Sequence, residues 1–138
     1  HGLTPPRRPL VARAPRKASG RLGFGPFHPV SPPPVDSFSA FDLAPAVRRG
    51  VADAGYTTPT PVQAATLPHA LAGIDVVGVA QTGTGKTAAF VLPILDYLVR
   101  EGAGRGGRTV RALVVTPTRE LAVQVEAAVR TYGAHTGL

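Results

Sequence analysis

Residues 80–87, AQTGTGKT, constrain this chain more tightly than any other stretch. They follow the apolar run IDVVGV at 74–79 and lead into the apolar, helix-compatible AAFVLPILDYLV at 88–99. A β-branched run, a glycine-rich turn, Lys-Thr and a helix-length apolar segment form the strand, loop, helix order of a phosphate-binding P-loop. Gly83 and Gly85 allow positive φ and let the backbone approach a phosphate with no Cβ in the way. The loop from Ala80 through Gln81, Thr82, Gly83, Thr84 and Gly85 then presents N–H groups to the anion, beside a helix start whose dipole favours negative charge. Lys86 is placed to reach β- and γ-phosphate oxygens as a point charge, and the Thr87 hydroxyl to ligate Mg²⁺, which makes both candidate catalytic residues. A ligand-free turn would have no use for Lys-Thr directly after Gly85. The general pattern GxxxxGK[ST] begins with Gly, and Ala80 stands there instead.

At 138 residues the chain has the length of one small domain, but not all of it can enter a core. Residues 1–37 hold nine of the 15 prolines and six of the 15 Lys and Arg residues against one acid, Asp36. This composition predicts an extended, disordered Pro/Arg-rich tail. Of the net charge of +7, the tail carries +5 and residues 38–138 carry +2. Arg7, Arg8, Arg13, Arg16, Lys17 and Arg21 could touch phosphates of a polyanion, with Phe24 and Phe27 available for stacking; a solvated linker has the same composition. The absence of cysteine excludes a disulfide framework and thiolate metal sites. His1, His28, His69 and His135 lack metal-ligand spacing, and His69 reads as a helix-surface residue. No run of 18 apolar residues suggests a membrane span, and no signal pattern opens the chain.

Taken in order, Pro45 to Gly55 reads as a helix with Val47, Val51 and Ala54 at helical spacing, begun by a first-turn proline and stopped by glycine. Thr60 is a candidate N-cap with Pro61 at the first position of a second helix, in which Pro68 predicts a kink or an early end. Residues 74–79 read as a buried strand, nearly continuous in apolar residues as parallel strands are. The helix after the loop should run from about Gly85 to Val99 with a kink near Pro93. Residues 101–109, EGAGRGGRT, read as a flexible connection. Residues 111–116 read as a second buried strand, after which Thr118 caps a helix carrying Leu121, Val125, Ala128 and Val129 on one face. Strand, helix, strand, helix predicts an α/β domain with a parallel sheet and its ligand at the carboxyl ends of the strands.

Two further stretches stand in register with the loop. GYTTPTPVQ, residues 55–63, has Phe38 17 residues before its glycine and Ala80 17 residues after Gln63, and PTRELA, residues 117–122, follows the second expected strand. With AQTGTGKT these resemble the Q motif, motif I and motif Ia of DEAD-box ATP-dependent RNA helicases, in the family's order. The resemblance covers residues 38–138 and implies an incomplete first RecA-like domain, a P-loop fold, preceded by the tail at 1–37. It implies ATP and Mg²⁺ as cofactors and RNA as the partner. Gln63 would recognise adenine, for which an amide able to donate and accept on one base edge is suited. Tyr56 and Phe38 would pack on or around the base. Pro117, Thr118, Arg119 and Glu120 would form the RNA-binding motif, with Thr118 and Arg119 on backbone phosphates, so that binding is sequence-tolerant and salt-sensitive.

The chain also departs from the family's pattern. No strand-like apolar run after Lys86 ends in Asp, and there is no DEAD glutamate to activate water and no second-domain arginine finger. The expectation is therefore an N-terminal piece of a cytoplasmic helicase whose parent closes two RecA-like domains on RNA to separate short duplexes. The 138 residues alone should hydrolyse ATP negligibly. Unpaired sheet edges would leave the piece marginally stable and prone to aggregate. Two alternatives remain open at this point: a truncated, non-catalytic RNA-binding protein, and a P-loop ATPase of the same superfamily that acts on DNA. The sequence names no protein partner.

Overall fold

A computed structural model describes residues 35–102 and 110–138. The expectations for residues 1–34 of the tail and for 103–109 of the glycine-rich connection lie outside the described residues. Within them a 3-10 turn at Phe38–Ala40 is followed by four helices: α1 (Pro45–Asp53), α2 (Pro61–Leu71), α3 (Lys86–Arg100) and α4 (Arg119–Tyr132).

Each helix begins where local chemistry favours it. Pro45 and Pro61 occupy the first turns of α1 and α2, where a missing N–H removes no intrahelical bond. Gly85, at φ 88°, turns the loop into α3. The Thr118 hydroxyl accepts from the Leu121 N–H at 3.3 Å to cap α4. Gly55, at φ 78°, ends the turn after α1 as expected.

The prolines inside the helices do not end them. α2 continues through Pro68 to Leu71, and α3 continues through Pro93 to Arg100. An interior proline costs about 3 kcal/mol in an isolated helix. Here Leu67, Leu92 and Leu95 flank the prolines and are buried in the core, and this packing outweighs the lost hydrogen bonds.

α3 is the centre of the arrangement and packs against α2, α4 and α1. Val91, Leu92 and Leu95 of α3 meet Phe38, Phe41, Leu43, Val47 and Val51 from the N-terminal part, Leu67 from α2 and Tyr132 from α4. Val125 and Ala128 pack against this core, whereas Leu121 and Val129 of the expected α4 face stay exposed. A charged hook fastens the N-terminal part to α3. The buried Asp96 accepts from the Ala44 N–H at 2.6 Å through Oδ1, and its Oδ2 takes the Arg100 Nε–H at 2.7 Å. Arg100 also donates to the Asp42 carbonyl at 2.6 Å, and its guanidinium pKa is raised, chiefly by the hydrogen bond to Asp96.

The two expected strands are not formed. Among the described residues there is no strand, and no backbone hydrogen bond joins 75–79 to 111–116. Ile74, Val77, Val79, Leu113 and Val115 are exposed rather than buried. The physical reason is that a strand satisfies its N–H and C=O groups only on a neighbouring strand, and neither segment has one here. The second segment is tied down at its start instead. Arg111 donates to the carbonyls of Gly102 at 2.7 Å and Leu98 at 3.1 Å, at the α3 C-terminus where carbonyls lack intrahelical partners.

Candidate functional site

The loop at 80–85 folds back on itself ahead of α3. Gly83 (φ 82°) and Gly85 (φ 88°) both occupy the left-handed region that the sequence assigned to them. The Thr84 hydroxyl donates to the Gln81 carbonyl at 2.8 Å. The Lys86 ammonium, half-buried, donates to the carbonyls of Ala80 and Gln81, so its charge is held at the loop rather than projected into solvent. Thr87 is half-buried in the first turn of α3, and its hydroxyl takes no hydrogen-bond partner among the described residues.

Gln63 joins this loop to the segment that begins α2. It is 0% exposed, yet both ends of its amide are used. Oε1 accepts from the Thr60 N–H at 2.8 Å, and Nε2 donates to the Gly85 carbonyl at 3.1 Å. A Cβ on Gly85 would lie 2.5 Å from Gln63 Nε2 and 3.2 Å from Thr60 Oγ1, so this glycine is required twice, by φ and by space. Thr60 Oγ1 is buried without a partner at the same junction. Leaving a buried hydroxyl unpaired costs free energy.

The expected base-packing aromatics lie together. Phe38 is buried and meets Tyr56 edge to face, with centroids 6.4 Å apart. Tyr56 keeps 41% of its surface exposed. Phe38 therefore lies against Tyr56 rather than in the open, and Tyr56 offers the free surface. Pro117, Thr118, Arg119 and Glu120 are all exposed at the start of α4, and no hydrogen bond or ion pair joins them to the loop among the described residues.

A cavity of about 640 Å³ between α2 and α3 is lined by Val62, Thr66, Ile74, Phe90, Pro93 and Lys86, among others. It contains no residue of the loop at 80–85 and meets the AQTGTGKT stretch only at Lys86. Its apolar walls face the unpaired segment at 74–78, so it belongs to the uncovered side of the fold, and we place the site at the loop and Gln63 instead. Among the described residues no group of three or more His, Cys, Asp and Glu side chains is gathered for a metal ion, and no helix is long and apolar enough to cross a membrane.

Sequence reasoning missed Asp96 and Arg100, which tie the N-terminal part to α3, and Tyr132, which packs on Tyr56. Signals were present. Asp96 is the lone acid in an apolar helical run with Arg100 four residues on, and Tyr132 continues the inward spacing of Val125 and Ala128.

Comparison with known proteins agrees with the motifs. The family model described as DEAD/DEAH box helicase matches residues 60–138. The chain is 48% identical over 107 residues to an ATP-dependent rRNA helicase of Lodderomyces elongisporus, covering 78% of this chain and 20% of that protein. It is 48% identical over 99 residues to the ATP-dependent RNA helicase DeaD of Mycobacterium tuberculosis, covering 72% and 17%. Among solved structures, it resembles the RNA helicase Prp28 of Chaetomium thermophilum bound to ADP, with a TM-score of 0.68 at 39% identity over 76% of this chain and 26% of that one. A DEAD box protein of Methanococcus jannaschii matches with a TM-score of 0.61 at 33% identity, over 70% and 25%. The chain thus spans about a fifth of the length of the curated relatives it matches.

Proposed function

The chain belongs to the DEAD/DEAH box helicase family, and from that premise we propose that it supplies the ATP-binding junction and one RNA contact of an ATP-dependent RNA helicase. The observation that carries this reading is the Gln63 amide, which bridges Thr60 and Gly85 across 22 residues of sequence. A base-reading side chain and a phosphate loop must share one ligand, and this bridge supports their doing so.

In this reading the loop amides and Lys86 bind the triphosphate. Lys86 exchanges the carbonyls of Ala80 and Gln81 for phosphate oxygens, a stronger, charge-assisted pairing. Gln63 turns its donor and acceptor to the adenine edge, and guanine, with the reverse pattern, is disfavoured. Tyr56 packs on the base, with Phe38 beside it. Mg²⁺ fits with the free hydroxyl of Thr87 as a protein ligand, its other positions filled by phosphate oxygens and water; when bound it neutralises phosphate charge. Thr118 and Arg119 hold phosphates of single-stranded RNA. Residues 38–138 are read as part of a first RecA-like domain, in which 74–79 and 111–116 take their places as parallel strands, and residues 1–37 as a basic tail. The sequence holds no water-activating DEAD glutamate, so these 138 residues bind ATP without appreciable turnover. Unwinding of short duplexes and a cytoplasmic setting belong to the same proposal.

Competition binding with ATP and GTP tests the reading. ATP should bind more tightly than GTP, and Lys86→Ala should remove both. Equal affinity for the two nucleotides, or unchanged binding by Lys86→Ala, would overturn it. For RNA, Arg119→Ala should weaken single-strand binding uniformly across sequences and lower the salt slope by about 0.7 for the lost phosphate contact.

A further inference from the structure

We propose that Tyr132 is a positioning residue for base recognition, holding the Tyr56 ring in the orientation that receives the adenine. The inference rests on the assignment of Tyr56 to the base. Tyr132 ends α4 and is 6% exposed, within the core. Its ring meets Tyr56 edge to face, with centroids 5.7 Å apart and planes at 71°. With Phe38 also in edge contact, Tyr56 has two buried aromatic neighbours and one open side.

What holds Tyr132 also holds the backbone of Tyr56. A Cβ on Gly50, in the middle of α1, would lie 2.2 Å from the Tyr132 carbonyl oxygen and 2.7 Å from its carbonyl carbon, so α1 and the end of α4 touch backbone to backbone. The Tyr56 N–H in turn donates to the Val51 carbonyl at 3.2 Å, at the far end of α1. The contacts close a ring: α1 holds the Tyr56 backbone, the Tyr56 ring leans on the Tyr132 ring, and the Tyr132 backbone rests on α1. The Tyr132 phenol is pushed above its ordinary range, first by burial and then by Tyr56, in keeping with a neutral, packed side chain. Two χ angles are all that Tyr56 must fix to present its ring, and two aromatic neighbours restrict both.

The test separates base recognition from general stability by comparing ATP with inorganic tripolyphosphate, which carries the phosphates and no base. Both affinities are measured on the full chain with Mg²⁺. Tyr132→Leu should weaken ATP about fivefold, within the range of one aromatic pair, and leave tripolyphosphate unchanged. Tyr132→Phe keeps the ring and should bind both as wild type does. Tyr56→Ala should weaken ATP at least as much as Tyr132→Leu, again with tripolyphosphate spared. If Tyr56→Ala is selective in this way but Tyr132→Leu changes both ligands equally or neither, the positioning role is wrong and the base assignment stands. If Tyr56→Ala leaves the ratio of the two affinities unchanged, the base assignment fails and this inference fails with it. Should the leucine variant not fold by circular dichroism, Tyr132→Met, apolar and unbranched, is judged by the same ratio.

Discussion

Two apolar stretches of similar composition meet opposite fates in this molecule. The inward face of α3, with Ala88, Val91, Leu92 and Leu95, is buried, whereas Ile74, Val77 and Val79 stand exposed only a few residues upstream, Val77 at 76% and Val79 at 87%. Hydrophobicity does not separate them; backbone hydrogen bonding does. A helix closes its own bonds and needs a neighbour only for one face, while a strand needs a neighbour for every N–H and C=O along its edge. Apolar patterning therefore locates a helix and its burial together, but for a strand it locates only a surface that requires a partner. The proposed site lies on the seam between these regions, since the loop at 80–85 begins at the bare segment and ends on the packed helix.

The comparison sharpens most through truncation in α3. Leu92→Ala should destabilise by about 2–5 kcal/mol in urea unfolding, since its side chain is fully buried among the helices. Gly50→Ala follows. Helix propensity alone favours Ala over Gly by about 1 kcal/mol, but the new methyl meets the Tyr132 backbone, and a net loss of about 1–3 kcal/mol is expected from overpacking. Asp96→Ala leaves the buried Ala44 N–H without its acceptor and should cost about 1–3 kcal/mol in the same assay.

A smaller effect tracks pH. The Tyr132 pKa is raised on folding, so the folded state holds this proton more tightly than the unfolded chain. Its contribution is fully present below the unfolded phenol value of about 10 and is lost as pH rises through the higher folded value. Stability measured above about pH 10 should fall more steeply in the wild type than in Tyr132→Phe. Smallest of all, Val77→Ala should change stability by no more than about 0.5 kcal/mol, as expected of an exposed position. A loss at Val77 comparable to that at Leu92 would break the contrast between the two regions.

What could be read from residues alone was local. Pro45 and Gly55, Thr60 and Pro61, Gly85, and Thr118 each mark a helix end within a few residues, and the structure places α1 to α4 at those marks. The left-handed glycines of the loop were legible for the same reason. Gln63 was legible as a group able to donate and accept at once, but its partners, Thr60 and the distant Gly85, depend on how α2 meets the loop. Asp96 binds Ala44 across 52 residues, and Tyr132 meets Tyr56 across the α1 to α4 contact. Such pairings are set by packing, which a linear pattern does not encode. The strands are not formed among the described residues for a related reason: strand pairing depends on neighbours that no feature of 74–79 or 111–116 supplies.

Amide hydrogen exchange on the full chain, with and without ATP and Mg²⁺, tests the central claim most directly. The account predicts that ATP slows exchange at residues 80–87 and at 60–63 together, because one ligand bridges the loop and Gln63, while 111–116 stays unprotected. Protection confined to the apolar cavity between α2 and α3, or no change at 80–87, would contradict it.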